Sequence, residues 1–152
     1  MGIDPGETIG FAKLHYIDEL ERINLNWHAQ VPVPKLKKDY IDWASLNDLI
    51  RSAYKFIGVP QVIAIEDYRV YRNMARMHAG KRVLTSLVIG GLCLVAAEMG
   101  IEVEIYPAAK KGRWPLARLE KRFPPYFQAE QPHAADAVIL ALLSHEKRGV
   151  FT

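Results

Sequence analysis

The sequence predicts an α/β fold in which a mixed five-stranded sheet, made of three antiparallel strands and then two parallel ones, is flanked by helices. Two early segments mix β-branched and aromatic residues with polar ones, as antiparallel strands do. Two later strand-like runs each follow a segment with the features of a helix, which is the pattern of parallel strands. Half of the 152 residues are hydrophobic and 24% are charged, so the chain can form a core.

The antiparallel strands come first in the chain. We predict them at residues 2–4, 9–16 and 23–33, with a tight connection between the second and the third. Pro32 and Pro34 end the third strand, because proline has no amide hydrogen for pairing with a neighbouring strand. We expect the lysine-rich stretch 35–39 to be a basic surface loop.

Helices and strands then alternate. Apolar residues recur every three or four positions across 40–56, which predicts one amphipathic helix. The apolar run 62–65 predicts a strand covered on both faces, ending at Glu66 and Asp67. The later predicted elements are a helix at 83–99, a strand at 102–106, a basic loop at 107–113, a short helix at 116–123 and a final helix at 134–147.

This order of elements matches the ribonuclease H-like fold. In such a sheet the first strand lies centrally, and the strands that follow helices join it in parallel through right-handed crossovers. A length of 152 residues suits one domain of ordinary size, and the chain has no internal repeat and no low-complexity linker. We therefore expect residues 1–152 to form a single domain.

The composition excludes several classes of protein. The single Cys93 can form neither an internal disulfide nor a cysteine metal cluster, which excludes zinc fingers and favours a reducing compartment. The apolar stretch 83–97 is shorter than the roughly 20 residues of a membrane span, and the first residues do not resemble a secretory signal. We expect a cytoplasmic protein without membrane contact. The net charge of +3 is compatible with a polyanionic partner but does not by itself indicate one.

Three acids that are distant in the sequence are candidates for one site. Asp4 ends the first strand, Glu66 ends the fourth, and Asp136 lies near the start of the last helix. Carboxyl ends of parallel strands meet at one edge of an open sheet, and converging carboxylates need a cation such as Mg²⁺ or Mn²⁺. Alternatives exist for each acid: Asp4 before Pro5 suits a turn, Glu66 suits the solvated end of a strand, and Asp136 suits the positive end of a helix dipole.

Two further residues lie beside these acids. His133 and Asp136 share a helical face at positions i and i+3, so the imidazole is either a metal ligand or a proton acceptor. Asp67 points away from Glu66, because side chains alternate along a strand, and only Glu66 is expected to be a ligand. The candidate catalytic and metal-binding residues are Asp4, Glu66, His133 and Asp136.

Three segments carry these residues: GIDPGETIGFA (2–12), VIAIEDYRVY (62–71) and HAADAVILAL (133–142). Together they resemble the signature segments of RuvC-like Holliday junction resolvases, most closely the short phage-type and mobile-element members. By this resemblance Asp4, Glu66 and Asp136 occupy the carboxylate positions, and His133 stands where many relatives have a fourth acid. The resemblance implies a homodimer that acts in DNA recombination and repair, in the host cytoplasm if a phage encodes it. It also implies phosphodiester hydrolysis with two Mg²⁺ or Mn²⁺ ions per active site and 5′-phosphate products.

Basic and aromatic residues cluster after Glu66 and again after the last strand. Basic side chains neutralise phosphates, and tyrosine rings stack on unpaired bases such as those at a junction crossover, with Tyr71 as the candidate wedge. In the alternative interpretation, the tyrosines belong to the core and the basic residues to a solvated surface. The candidate DNA-binding residues are Tyr68, Arg69, Tyr71, Arg72, Arg76, Lys81, Arg82, Lys110, Lys111 and Arg113.

The predicted helix at 83–99 is apolar around much of its circumference and contains Gly90 and Gly91. Small residues allow close approach of a second backbone. We therefore predict that one face of this helix packs on the sheet and another on a second copy of the chain across a two-fold axis. A helix buried entirely within a monomer is the alternative.

The sequence as a whole predicts a dimeric, metal-dependent endonuclease that resolves Holliday junctions or related branched DNA. The alternative from another class is an architectural protein that binds junctions without cutting them. A third hypothesis comes from residues 4–8, Asp-Pro-Gly-Glu-Thr, which also resemble the phosphate loop of actin-like ATPases and sugar kinases. Those enzymes close two such domains around a nucleotide, and this length accommodates one.

Overall fold

The fold is a mixed five-stranded sheet with helices on both faces. The computed structural model describes residues 1–17, 22–37, 40–56, 58–68, 83–123 and 130–149, apart from the side chains of residues 109 and 110. The strands are β1 (Gly2–Asp4), β2 (Thr8–Ile17), β3 (Arg22–Pro32), β4 (Lys35–Lys37), β5 (Tyr40–Ile41), β6 (Val62–Asp67) and β7 (Glu102–Pro107). The helices are α1 (Trp43–Lys55), α2 (Leu84–Glu98), α3 (Leu116–Arg122) and α4 (Pro132–Lys147), and a 3₁₀ helix spans Ala108–Arg113.

The strand order in the sheet is β3-β2-β1-β6-β7, so the short first strand lies at the centre. β1 is antiparallel to β2 and parallel to β6, and β6 is parallel to β7. This is the ribonuclease H-like fold, as the sequence predicts. Its consequence is that β1 and β6 deliver their carboxyl ends to one edge of the sheet, which we call the C-terminal edge.

Each face of the sheet has its own core. On one face, α1 and α2 pack on the side chains of Ile3, Ile63 and Ile65. On the other face, α3 and α4 pack on a surface that includes Ala12 and Ala64. Because side chains alternate along a strand, Asp4 and Glu66 face the same side as Ala64, toward α4.

Two glycines allow α4 to lie directly on the sheet. A Cβ atom on Gly2 would lie 1.9 Å from the carbonyl oxygen of Ala137, and one on Gly10 would lie 1.9 Å from that of His133. Neither distance is compatible with a side chain. Ala134, Ala137 and other small residues on the helix contribute to the close approach, which brings the start of α4 over the end of β1.

The segment between β3 and α1 differs from the expected loop followed by a helix at 40–56. Lys35–Lys37 pairs with Tyr40–Ile41 to form a separate two-stranded sheet. α1 begins at Trp43 because Asp42 caps it, with its carboxylate accepting a hydrogen bond of 3.2 Å from the backbone of Ser45.

Two further element predictions require correction. The basic segment expected as a loop at 107–113 is largely the 3₁₀ helix, whose end is closed by a hydrogen bond from the Trp114 amide to the Lys111 carbonyl. The last helix begins at Pro132, two residues earlier than predicted, because the fixed φ of proline suits a first helical position.

The helix α2 has one covered and one exposed side. Val88, Leu92 and Val95 are buried against the sheet and α1, whereas Leu87 and Leu94 are exposed. Within the described ranges, none of the helices is both long enough and apolar enough to cross a lipid bilayer.

Candidate active site

Three acidic side chains meet at the C-terminal edge of the sheet. Asp4 is the last residue of β1, Glu66 lies near the end of β6, and Asp136 lies in the second turn of α4. The parallel register that pairs Ile3 with Ile65 places Asp4 beside Glu66. One carboxylate oxygen from each of the three acids lies within 4.8 Å of the others. The structure thus brings together residues that are up to 132 positions apart in the sequence, from 4 to 136.

The side chain of Lys111 occupies the centre of this acid group. Its Nζ atom lies 2.5 Å from Asp136 Oδ2, 2.7 Å from Glu66 Oε2 and 3.3 Å from Asp4 Oδ1. Burial alone would lower the pKa of Lys111, but hydrogen bonds to Asp136 and Glu66 and the charge of Asp4 raise it above its usual range. The ammonium group therefore marks a cation position that three carboxylates share.

One positive charge does not fully compensate the three acids. Burial and the contact with Asp4 raise the pKa of Glu66 to about 7, although Lys111 acts in the opposite direction. Glu66 therefore ionises less readily than an exposed glutamate. A cation of higher charge would favour the ionised form, and clustered carboxylate oxygens are the ligands that Mg²⁺ and Mn²⁺ prefer. The donor set thus fits a divalent metal ion.

His133 contacts the acid group through one member only. Its Nδ1 atom lies 2.8 Å from Asp4 Oδ2, and its backbone amide donates a hydrogen bond of 3.3 Å to Gln30 Oε1 on β3. Among the described residues, the group of converging ligand atoms consists of one oxygen each from Asp4, Glu66 and Asp136. It does not include a nitrogen of the His133 ring. The ring is therefore placed to orient Asp4, and its role as a metal ligand stays a prediction.

A cavity of about 290 Å³ opens above the acids. Tyr68, the residue after β6, and Thr85, in the first turn of α2, contribute to its wall. Thr85 and Gln30 are not among the site residues that the sequence predicts. The sequence feature that could have identified Thr85 is its polar side chain near the start of a largely apolar helix. The lining residues are Asp4, Pro5, Glu66, Tyr68, Thr85, Lys111, His133 and Asp136.

The structure describes only part of the predicted DNA-binding set. Lys111 points into the acid group, and Tyr68 lines the cavity. Arg113 is largely exposed and forms an ion pair of 3.3 Å with Glu146. The predicted residues that lie outside the described part of the chain are Arg69, Tyr71, Arg72, Arg76, Lys81 and Arg82, together with the side chain of Lys110.

Comparison with known proteins gives structural matches only. No protein-family model and no curated protein matches the sequence. RuvC of Thermus thermophilus in complex with a Holliday junction substrate superposes with a TM-score of 0.68 at 16% identity, covering 98% of this chain and 94% of that one. The Holliday junction resolvase of fowlpox virus gives a TM-score of 0.64 at 12% identity, covering 97% and 96%. This chain shares the fold of these resolvases. The resemblance suspected from three sequence segments is therefore confirmed at the level of the fold.

Proposed function

We propose that this protein is a structure-selective, metal-dependent endodeoxyribonuclease that resolves Holliday junctions or related branched DNA. One observation carries the proposal: Asp4, Glu66 and Asp136 converge on a single cation position. The fold shared with RuvC and the fowlpox virus resolvase gives that acid group its biochemical context. The open cavity above the acids leaves room for a phosphate group of a DNA strand.

In this proposal Asp4, Glu66 and Asp136 hold the metal. Two Mg²⁺ or Mn²⁺ ions held there would supply an activated water and charge stabilisation at the scissile phosphate, and the products would carry 5′-phosphate ends. Asp4 is 5% exposed and held by His133, so its carboxylate has a fixed orientation. His133 serves as a ligand or, at its other ring nitrogen, as a proton acceptor.

Two of the proposed DNA contacts line the cavity. Tyr68 and Lys111 stand at its wall, where an aromatic ring stacks on a base and an ammonium group neutralises a phosphate. Arg113 is a further proposed contact; it is largely exposed and pairs with Glu146. The remaining proposed contacts are Arg69, Tyr71, Arg72, Arg76, Lys81, Lys110 and Arg82.

We also propose a homodimer formed through residues 83–99. Leu87 and Leu94 on α2 are exposed, although the other side of the same helix is core. A dyad through this surface would provide two active sites, and a four-way junction presents two equivalent strands to cut.

The decisive experiment separates cutting from binding. Asp4→Asn and Glu66→Gln keep the size of each side chain but remove a negative charge that a metal ion needs. We expect each to reduce cutting of a labelled immobile four-way junction about a hundredfold or more, since lost metal contacts raise the barrier by several kcal/mol. Junction affinity should change little.

Asp67→Asn is the matched control, because Asp67 is the neighbouring acid on β6 and faces away from Glu66. It should cut normally. Matched duplex and single-stranded DNA, with and without Mg²⁺ or Mn²⁺, complete the assay. Full cutting by both Asp4→Asn and Glu66→Gln would remove these acids from the mechanism. Tight junction binding by the unmodified protein without cutting in either metal would instead identify a junction-binding protein.

A further inference from the structure

The hairpin formed by β4 and β5 has an exposed polar and aromatic surface. Lys37 and Tyr40 pair directly across it, so their side chains lie side by side on one face. Tyr40 is 51% exposed and Leu36, between two lysines, is 71% exposed. Lys37 is also exposed, and within the described ranges it forms no ion pair. A cation and an aromatic ring are thus presented together.

The base of this hairpin is firmly attached to the turn that follows β1. The carbonyl oxygen of Glu7 accepts a hydrogen bond of 2.9 Å from the Val33 amide, and its carboxylate accepts one of 2.7 Å from Lys35. The Asp42 amide closes the other side with a bond of 3.0 Å to the carbonyl of Pro34. These bonds therefore fix the base of the hairpin relative to the turn that follows β1.

That position is beside the candidate active site. Glu7 lies three residues after Asp4, and Gln30 near the end of β3 bonds to His133, which contacts Asp4. β3 is two strands from β1, a separation of about 10 Å at the usual strand spacing. The end of β3, from which the hairpin continues, pairs with the start of β2, so the hairpin begins at the same edge of the sheet as Asp4.

We propose that the β4–β5 hairpin binds the DNA strand a few nucleotides from the phosphate held at Asp4, Glu66 and Asp136. Lys37 neutralises a backbone phosphate, and Tyr40 stacks on a base that is unpaired at a branch point. This inference rests on the proposed function and adds a contact surface on the β3 side of the site, opposite Lys111 on the β7 side. The positive charge of the segment matches nucleic acid as its partner.

The test uses Lys37→Ala and Tyr40→Ala, each combined with Asp4→Asn so that the DNA is not cut. Junction affinity is measured by fluorescence anisotropy over a range of salt concentrations. We expect Lys37→Ala to lower the slope of log affinity against log salt by about 0.9, the value for one lost phosphate contact. Tyr40→Ala should weaken binding about tenfold, and Tyr40→Trp should restore it, because an indole ring also stacks.

Lys55→Ala is the matched control. Lys55 lies at the far end of α1, about 18 Å along the helix from its start beside the hairpin, and it is also exposed. It should leave affinity and salt slope unchanged. Thermal unfolding confirms that each variant is folded.

Three results would overturn the proposal. The first is that Lys37→Ala and Tyr40→Ala bind the junction with the same affinity and salt slope as Lys55→Ala, while the unmodified protein binds and cuts junctions. In that case the hairpin does not contact DNA and the proposed function stands. If sedimentation shows that these variants dissociate a dimer, the hairpin serves a second copy of the chain instead. If the unmodified protein binds no branched DNA, the hairpin contact and the proposed function fail together.

Discussion

The charge balance of the acid group depends on one lysine. Lys111 contacts all three carboxylates, so it offsets part of the repulsion that would otherwise separate Asp4, Glu66 and Asp136. Its ammonium group also occupies the space that a metal ion would use. We therefore expect this lysine to stabilise the acid group and to compete with a metal ion for the same carboxylates.

We predict that Lys111→Met raises the affinity of the protein for Mn²⁺. Removal of the competing ammonium group should strengthen binding about tenfold, equivalent to about 1.4 kcal/mol. Isothermal titration calorimetry measures the effect without requiring activity. Lys121→Met, at an exposed position of α3, is the control and should have no effect. Weaker Mn²⁺ binding by Lys111→Met would show that the lysine supports the metal complex.

A second buried acid, Glu104, has a structural role. Burial would raise the pKa of Glu104, but hydrogen bonds from Ser144, Lys147 and Tyr106 lower it to about 2. Because the pKa is lower in the folded than in the unfolded state, this acid stabilises the fold fully above about pH 4.5. The contribution is lost as the pH falls toward about 2.

Glu104→Gln should therefore destabilise the protein in a pH-dependent manner. Near neutral pH we expect a loss of about 2 kcal/mol, because Lys147 and Arg148 lose a charged partner. The difference from the unmodified protein should fall to about 0.4 kcal/mol at about pH 2, where Glu104 itself is half protonated. Urea unfolding at both pH values measures it. A constant difference across that range would contradict the assigned pKa.

The acids of the candidate site and the neighbouring His133 were predictable from the sequence, whereas the contact of Lys111 with all three acids was not. Asp4 and Glu66 end apolar strands, and strand ends in an α/β sheet have a known relative position. The direction of the Lys111 side chain depends on a 3₁₀ helix that formed where a loop was expected. Such a turn is fixed by tertiary contacts, and in a single sequence the lysine is indistinguishable from a surface residue.

At the scale of elements, the site depends on how closely α4 approaches the sheet. Gly10 on β2 faces the backbone of His133, and Gly2 on β1 faces that of Ala137. A methyl group at either position would push the helix away from β1. Because α4 carries His133 and Asp136, the distance between sheet and helix also sets the geometry of the acid group.

Gly10→Ala should therefore reduce both stability and cutting. We expect a loss of about 1–3 kcal/mol, the usual effect of overpacking, because the new Cβ would otherwise lie 1.9 Å from a carbonyl oxygen. Gly112→Ala is the control: nothing lies within 4 Å of its Cβ position, and we expect a change under about 0.5 kcal/mol. Chemical denaturation and the junction assay measure the two effects. Equal stability of both variants would show that α4 accommodates the methyl group.

The elements of the main sheet were predicted more accurately than the segment between β3 and α1. Long runs with clear periodicity have a large buried surface that fixes their conformation. The β4–β5 hairpin has three exposed residues in succession on its first strand, so it lacks the alternation that indicates a strand. Its position is set by the bonds of Glu7 and Asp42 to distant backbone groups, which sequence periodicity does not encode.

At the scale of the whole molecule, the two faces of the sheet have different surroundings. α3 and α4 cover one face, and α1 and α2 cover the other. The groove between α1 and α2 has a volume of about 470 Å³ and an apolar lining that includes Trp43, Leu87 and Leu94. A Cβ on Gly90 in this groove would meet no atom within 4 Å, so a second backbone could approach closely.

The proposed dimer can be tested on this surface. Leu94 is 62% exposed at the groove, and Leu94→Glu would place a charge at the centre of the interface, where desolvation makes it unfavourable. We expect sedimentation velocity to show a dimer for the unmodified protein and a monomer for Leu94→Glu, with little change in thermal stability of the fold. Leu116→Glu, on α3 and 45% exposed, is the matched control and should remain dimeric.

The proposed dimer also predicts how the DNA is cut. Two sites related by a dyad can cut the two equivalent strands of a junction within the lifetime of one complex, whereas a monomer must bind twice. On a supercoiled plasmid carrying a cruciform, the unmodified protein and Leu116→Glu should therefore give linear product directly. Leu94→Glu should accumulate nicked circles first. Direct linear product from a monomeric Leu94→Glu variant would show that paired cutting does not require this interface.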